Sequence, residues 1–150
     1  MKNAWALLVF CAVAVLPAAA QSNQLLDQIL DTPHLSFGQA AYLALAAAQK
    51  LPDSAAPAQA AEAIPGTGWK VRLRDPDDPV TLGEYSFLLT RAFGLKGGLF
   101  YTLFPGPRYA ARELAYRRFI RGNGSPYRTL SGEEALGILQ RLLDWKESRS

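Results

Sequence analysis

The sequence predicts a mainly α-helical protein in which three similar capped helices, joined by connecting helices, surround one core. A motif of the form apolar-[Ser/Thr]-x-x-[Glu/Gln] occurs three times, at residues 35–39, 80–84 and 130–134. Apolar residues follow each motif at the same offsets and at helical spacing. A short segment, residues 69–74, alternates between apolar and polar side chains, as an extended segment does.

Residues 1–20 have the pattern of a secretory signal peptide. Lys2 gives a positive start, residues 4–16 form an apolar run, and residues 18–20 are the small alanines that signal peptidase requires. We therefore expect cleavage before Gln21 and an exported protein, in the periplasm or on the cell surface. The apolar run is shorter than the ~20 residues that cross a bilayer, so no membrane span is expected after cleavage.

The single cysteine, Cys11, lies inside this apolar run. The residues just before it, 8–10, are not the small residues of a lipobox, which disfavours a lipid anchor without removing that alternative. Cleavage would leave a chain without disulfides, so packing alone would have to hold its fold.

Positive charge gathers in the second half of the chain. The formal net charge is +3, but from Arg91 onward eleven basic residues face five acidic ones. An anionic partner would meet this half, or the arginines would form a solvated basic face. Because export separates the protein from nucleic acid, the expected partners are an anionic glycan, lipid headgroups or another protein.

The three motifs predict helix starts at Ser36, Thr81 and Ser131. At such a cap the hydroxyl accepts a backbone N–H three residues on, and the Glu or Gln there returns a bond to the N–H of the cap. Chance caps on unrelated helices are the alternative. The matched apolar positions are Leu43, Leu88 and Ile138; Ala44, Leu89 and Leu139; Ala47, Ala92 and Leu142; and Ala48, Phe93 and Leu143.

Around these helices the sequence predicts an N-terminal extension at residues 21–34 with a short helix from Ser22 to Leu30, a domain at 35–146 and a tail at 147–150. Residues 51–68, rich in Ala and Pro, predict a mobile connector with at most one helical turn. In the extended segment at 69–74 we expect the apolar side chains to face inward: Trp69, Val71 and Leu73.

Residues 99–104 are apolar but fit a strand or a helix, and we interpret them as a buried connector. A further helix is predicted from Pro107 to Arg121, with Gly122 just past its end. Arg112 and Glu113 border the apolar stripe of this helix. They are candidates either for a semi-buried hydrogen-bonded pair or for an edge that faces a ligand. The stripe is expected to hold Tyr109, Tyr116 and Ile120, flanked by Phe119, with Arg117, Arg118 and Arg121 on the other side around Leu114.

Catalytic chemistry has few candidates. His34 is the single histidine, and no G-x-S-x-G motif accompanies it. The aspartates at 75–78 lack the glycine and glutamate of a calcium loop. Two of the carboxylates Glu84, Glu113 and Glu133 could in principle act as a hydrolytic pair, yet a capping position already explains Glu84 and a first-turn position explains Glu133. We therefore predict no enzyme activity, metal or cofactor.

The repeated unit resembles the S-layer homology module. Residues 109–116 (YAARELAY) look like its leading helix, 118–122 (RFIRG) like the end of that helix, and 130–134 (LSGEE) like the second helix start. The resemblance spans most of residues 35–146 and implies a helical scaffold of three units. In that family an arginine of the motif helps to grip a cell-wall polymer. No ligand residue carries over, because its place is taken here by Phe37, Leu82 and Gly132.

The sequence thus favours a non-catalytic envelope protein that anchors or bridges to peptidoglycan, to another envelope glycan or to an envelope protein. The predicted contact residues are Tyr109, Arg112, Tyr116, Arg117, Arg121, Tyr127 and Arg128, whose rings could stack on sugars and whose guanidinium groups could pair with carboxylates. The alternative is a protein-binding assembly subunit, in which Trp69, Phe100 and Tyr101 would form an exposed apolar patch.

Overall fold

The computed structural model describes residues 16–52 and 54–150, so most of the predicted signal peptide, with Cys11, lies outside the described residues. Within this part the protein is mainly helical, as predicted, and it has no strand. A 3-10 turn at Ile64–Thr67 extends the third helix. The α-helices are α1 (Leu16–Leu30), α2 (Phe37–Ala47), α3 (Pro57–Ala63), α4 (Leu82–Ala92), α5 (Leu99–Leu103), α6 (Pro107–Tyr116) and α7 (Gly132–Glu147).

The three predicted caps are present at the starts of α2, α4 and α7. The Ser36, Thr81 and Ser131 hydroxyls accept backbone N–H groups at 3.3, 3.2 and 3.1 Å. The return bonds form at α2 and α4, where Gln39 and Glu84 accept the N–H of the cap at 3.0 and 2.8 Å. At α7 the return bond is missing, contrary to the prediction, because the Glu134 carboxylate pairs with Arg128 instead.

The apolar stripes of these helices meet in one core. Leu43, Leu88 and Ile138 are at most 2% exposed and belong to the same buried cluster. The fully buried Tyr85 of α4 donates its hydroxyl to the Ala135 carbonyl of α7 at 3.0 Å. The predicted shared interior is therefore confirmed.

The backbone links the three helix starts in a ring. The first N–H of each capped helix bonds to a carbonyl three or four residues before the cap of another helix. α2 uses the segment before α4, α4 uses the segment before α7, and α7 uses the segment before α2. The bonds are Phe37 N–H to Asp78 O at 2.8 Å, Leu82 N–H to Arg128 O at 2.7 Å, and Gly132 N–H to Thr32 O at 2.8 Å.

A second helix packs on each capped helix, α3 on α2, α6 on α4 and α1 on α7. Ile29 of α1 is fully buried in the core, so residues 21–34 are part of the domain and complete its third unit. α1 begins at Leu16, before the predicted Ser22, and runs through the predicted cleavage point at Gln21. Its core contacts, from Leu25, Leu26 and Ile29, all follow that point.

The connector at residues 51–68 is more ordered than predicted. It contains α3 and the 3-10 turn, and its Ala60, Ala61 and Ile64 side chains are buried. Alanines have no long side chain to hold two helices apart, which lets α3 pack closely on α2. The alanine-rich composition of residues 51–68, from which we predicted a mobile connector, therefore allows a closely packed helix.

The segment at 69–74 forms no hydrogen-bonded strand within the described residues. Trp69 and Val71 are half-buried, but Leu73 is 53% exposed, so its predicted inward orientation is wrong. Lys70 adopts a φ of +56°, which interrupts the extended backbone that strict alternation requires.

The predicted buried connector at 99–104 is a short helix, α5, and it is largely exposed. Tyr101 is buried, whereas Leu99, Phe100, Leu103 and Phe104 are 59–70% exposed. A helix of one and a half turns touches the protein with one side, so its remaining apolar side chains have nothing to pack against.

α6 ends at Tyr116, five residues before the predicted Arg121. Arg118 takes the left-handed conformation (φ +64°) just past the helix end. Gly122 is left-handed as predicted (φ +79°), but it lies six residues beyond Tyr116 and does not end the helix. The assigned faces are also wrong, because the small and apolar Ala110, Ala111 and Leu114 pack against α4, whereas Tyr116 is 87% exposed and Tyr109 half-buried. Phe119 and Ile120 are buried as predicted, but after the helix has ended.

Candidate ligand-binding surface

The predicted contact residues separate into three groups. One cavity collects Tyr109, Arg112 and Tyr116, and Arg117 lies beneath it. Tyr127 and Arg128 lie in the loop before α7 and do not line that cavity. Arg121 is exposed near the positive charge of Arg141.

The cavity lies between α5 and α6 and has a volume of about 180 Å³. The Tyr109 and Phe100 rings are stacked with their centroids 6.2 Å apart and their planes inclined by 10°. Phe104 approaches the same tyrosine at 6.4 Å. Tyr101 fixes α5 to α4, since its hydroxyl is 2.9 Å from the Thr90 hydroxyl. One side of the cavity is therefore lined by aromatic rings, and the helix that carries part of them, α5, is held against α4.

Glu113, which is part of the cavity lining, forms an ion pair with Arg117, and we call this pair the latch. The Glu113 carboxylate accepts the Arg117 Nε–H at 2.6 Å and the Gly98 N–H at 3.0 Å, and Arg117 also donates to the Lys96 carbonyl at 2.6 Å. Burial opposes the ionisation of Glu113, but the bonds from Gly98 and Arg117 outweigh it and lower its pKa. These bonds tie the start of α5 to α6.

The predicted pairing of Arg112 with Glu113 is wrong, because Glu113 pairs with Arg117 four residues on. Arg112 is exposed at the cavity and makes no hydrogen bond or ion pair within the described part of the chain. Its guanidinium group is free to meet an anion. Arg108 lies nearby, 5.9 Å from the centre of the Tyr109 ring.

Arg128, in contrast, has a full set of protein partners. It pairs with Glu134 and donates to the carbonyls of Asn123 and Thr129 at 2.7 and 3.1 Å. The hydrogen bond to Glu134 raises the pKa of Arg128. We therefore assign Arg128 to holding the loop before α7, and it leaves the set of contact candidates.

The sequence reasoning missed the apolar exposure beside the cavity. Trp69 is half-buried and Tyr101 is buried, so the predicted patch of Trp69, Phe100 and Tyr101 does not exist. Phe100 of that set is exposed, and beside it the exposed apolar side chains are Leu99, Leu103 and Phe104, at α5 and the residue after it. The sequence contained a signal, since the segment between Gly98 and Pro105 has only six residues, five of them apolar, which is too short for a helix that crosses a core.

Three other cavities are larger but are lined by none of the predicted contact residues, among them one of about 320 Å³ beside Tyr42 and Leu51. One of about 480 Å³ lies among α1, α2 and α7 and includes Leu26, Tyr42 and Lys146. One of about 270 Å³ lies beside α2 and α4, with Lys70 and Arg72 on its lining. We favour the α5–α6 cavity because three of the predicted contact residues converge there.

Comparisons with known proteins give no further assignment. No family model, curated protein or solved structure matches this chain. The resemblance to the S-layer homology module stays a prediction from the motifs. Among the described residues, no three His, Asp or Glu side chains cluster as metal ligands, and none of the helices has the length and apolar character needed to span a bilayer.

Proposed function

We propose that this protein is a non-catalytic, exported envelope module that binds an anionic cell-wall glycan, such as peptidoglycan, in the α5–α6 cavity. One observation carries the proposal: Tyr109, Arg112 and Tyr116 line a single cavity whose carboxylate, Glu113, is already paired with Arg117. Export and envelope location rest on the pattern of residues 1–20.

The chemistry of the cavity suits a sugar that carries a carboxylate. Exposed tyrosine rings offer flat apolar faces with a polar edge, on which the C–H face of a sugar can stack. The Arg112 fork can hold a carboxylate through two parallel hydrogen bonds. At about 180 Å³ the cavity is smaller than the ~300–1,000 Å³ of typical ligand pockets, which favours one sugar unit of a polymer.

The carboxylates considered as a hydrolytic pair have structural partners, which supports a non-catalytic role. Glu84 accepts the N–H of Thr81 and pairs with Arg74, and Glu113 pairs with Arg117. The pKa of each is lowered. A general acid for glycoside cleavage needs a raised pKa, so neither is suited to that role at neutral pH.

Sedimentation with purified peptidoglycan tests the proposal. We expect the Arg112→Ala/Tyr116→Ala variant to bind at least tenfold more weakly than the wild type, because it loses the free guanidinium group and an exposed ring. The matched control is Arg121→Ala/Tyr127→Ala, which removes the same two residue types outside the cavity. Equal sedimentation of all three proteins would refute the glycan site.

The second candidate is a protein-binding subunit of an envelope complex that does not bind glycan. The exposed apolar side chains of α5 favour it, because such patches mark interaction sites. Pull-down from solubilised envelope distinguishes it. A defined partner captured by the wild type but lost with Leu103→Ser/Phe104→Ser, together with no binding to peptidoglycan, would favour this candidate.

A further inference from the structure

Four large apolar side chains of α5 project from the protein surface. They are Leu99, Phe100, Leu103 and Phe104, exposed by 70, 61, 59 and 62%, and we call them the α5 ridge. They occupy four of six consecutive positions, and Tyr101 alone among their neighbours is buried against the protein. A contiguous exposed patch of this kind marks a surface that meets another apolar phase.

The ridge lies in the most basic part of the chain. Residues 85–132 contain eight basic residues and one acidic residue, Glu113, which is paired with Arg117. Lys96 precedes the ridge and Arg108 follows it. Both are exposed, and neither forms an ion pair within the described part of the chain. The ridge therefore presents exposed apolar side chains between two positively charged side chains that have no ion-pair partner.

We propose that the α5 ridge docks the protein on an anionic lipid bilayer, with the apolar side chains entering the interface and Lys96 and Arg108 meeting the lipid phosphates. Interfacial segments combine buried apolar area with attraction to anionic headgroups. Charge complementarity favours anionic lipid, because Lys96 and Arg108 flank the exposed apolar side chains and neither forms an ion pair within the described residues, the combination by which interfacial segments bind anionic headgroups. This inference rests on the exposed side chains at α5 and on the charges that flank them, whereas the glycan proposal rests on the cavity that α5 shares with α6.

α5 is held in place before any contact with a membrane. The Gly98 N–H bonds to Glu113, and the Thr102 hydroxyl donates to the Gly98 carbonyl at 3.1 Å. A Cβ on Gly97 would lie 2.4 Å from the Tyr101 side chain, so glycine permits the close approach of this turn to the helix. Because the ridge is already folded, docking needs little additional ordering.

Flotation with vesicles tests the apolar part of the proposal. Vesicles of phosphatidylcholine are compared with an equal mixture of phosphatidylcholine and phosphatidylglycerol. We expect the wild type to float with the mixed vesicles. The Leu103→Ser/Phe104→Ser variant should bind them at least about tenfold more weakly. The control, Leu30→Ser/Leu73→Ser, changes side chains that are 47 and 53% exposed elsewhere and should bind as the wild type does.

The charge contribution is tested with Lys96→Gln and Arg108→Gln. Each should weaken binding to the mixed vesicles by roughly fivefold, an effect that disappears at high salt. Lys50→Gln and Arg72→Gln are the controls, because both residues are exposed outside residues 85–132. Residues 4–16 are themselves apolar and would also bind vesicles. All variants are therefore prepared either with residues 1–20 or without them, and only proteins of the same form are compared.

Three results would overturn the membrane proposal: no binding to either vesicle, equal binding by the ridge variant, or a wild-type dimer that the ridge variant abolishes. The last result would assign the ridge to a second copy of the chain. The outcome is separable from the glycan proposal through Leu103→Ser alone, because Leu103 does not line the α5–α6 cavity and is not part of its aromatic wall. Leu103→Ser should therefore weaken vesicle binding and still sediment with peptidoglycan.

Discussion

The Gly132 N–H donates a 2.8 Å hydrogen bond to the Thr32 carbonyl and thereby joins the start of the last helix to the end of the first. The same contact brings α7 so close to α1 that a Cβ on Gly132 would lie 1.6 Å from the Ile29 carbonyl oxygen. The ring of three capped helices closes only because a glycine stands at this position. Its counterparts, Phe37 and Leu82, make the corresponding bonds at 2.8 and 2.7 Å, and a glycine follows each of them.

Substituting Gly132 should open the ring. We expect Gly132→Ala to lower the free energy of unfolding by about 2–4 kcal/mol, because the methyl group forces α1 away from α7. Gly137→Ala is the matched control in the same helix, where a Cβ meets only the flexible Arg141 side chain at 3.4 Å. It should raise stability by about 0.5–1 kcal/mol through helix propensity. Urea unfolding measures both, and equal stability of the two variants would refute the close contact.

Stability should fall in acid through Glu84. Burial opposes its ionisation, but the Thr81 N–H and the Arg74 guanidinium outweigh burial and hold its pKa below the ordinary 4.5. A folded-state pKa below the unfolded value contributes stability that is fully present above 4.5 and is lost as the pH falls through the folded value. Glu84→Gln should be less stable than the wild type at neutral pH, and the difference should shrink in acid. Denaturant titrations across this range measure it, and a constant difference would contradict the assignment.

The latch between Glu113 and Arg117 should hold α5 in place. Glu113→Gln removes the charge that accepts the Gly98 N–H and pairs with Arg117, so hydrogen exchange should quicken over residues 96–103. Exchange in α2 should stay unchanged. The control is Glu133→Gln, an exposed glutamate outside the latch. Unchanged exchange at Gly98 in Glu113→Gln would show that the latch does not restrain α5.

The helix starts and the shared core could be predicted because their signals are local. A hydroxyl followed by Glu or Gln satisfies backbone groups within one turn, and an apolar stripe at helical spacing has to find an interior. Leu43, Leu88 and Ile138 follow both rules. Two caps also make the expected return bond, and the third fails because Arg128, before the motif, competes for Glu134.

The hydrogen-bonded ring of helix starts and the exposed surface at α5 and α6 depend on tertiary contacts that the sequence pattern does not encode. Ring closure uses backbone groups of Thr32, Asp78 and Arg128, which carry no side-chain signature. On α6 the sequence reasoning gave the buried face to large aromatics, but close packing on α4 selects Ala110 and Ala111 and leaves Tyr116 outside. The glycines of the three motifs, at 38, 83 and 132, were local hints of close approach, since a Cβ at each would lie 3.0, 2.9 and 1.6 Å from a backbone oxygen of another segment.

The most direct test of the proposed function is a titration of the 15N-labelled protein with soluble peptidoglycan fragments, followed by amide chemical shifts. We predict shifts concentrated at residues 98–101 and 109–116, the two segments that contribute the cavity lining, and none in the loop of Tyr127. The shifts should vanish in Arg112→Ala/Tyr116→Ala. Shifts confined to another surface, or no shifts at saturating fragment, would contradict a glycan site between α5 and α6.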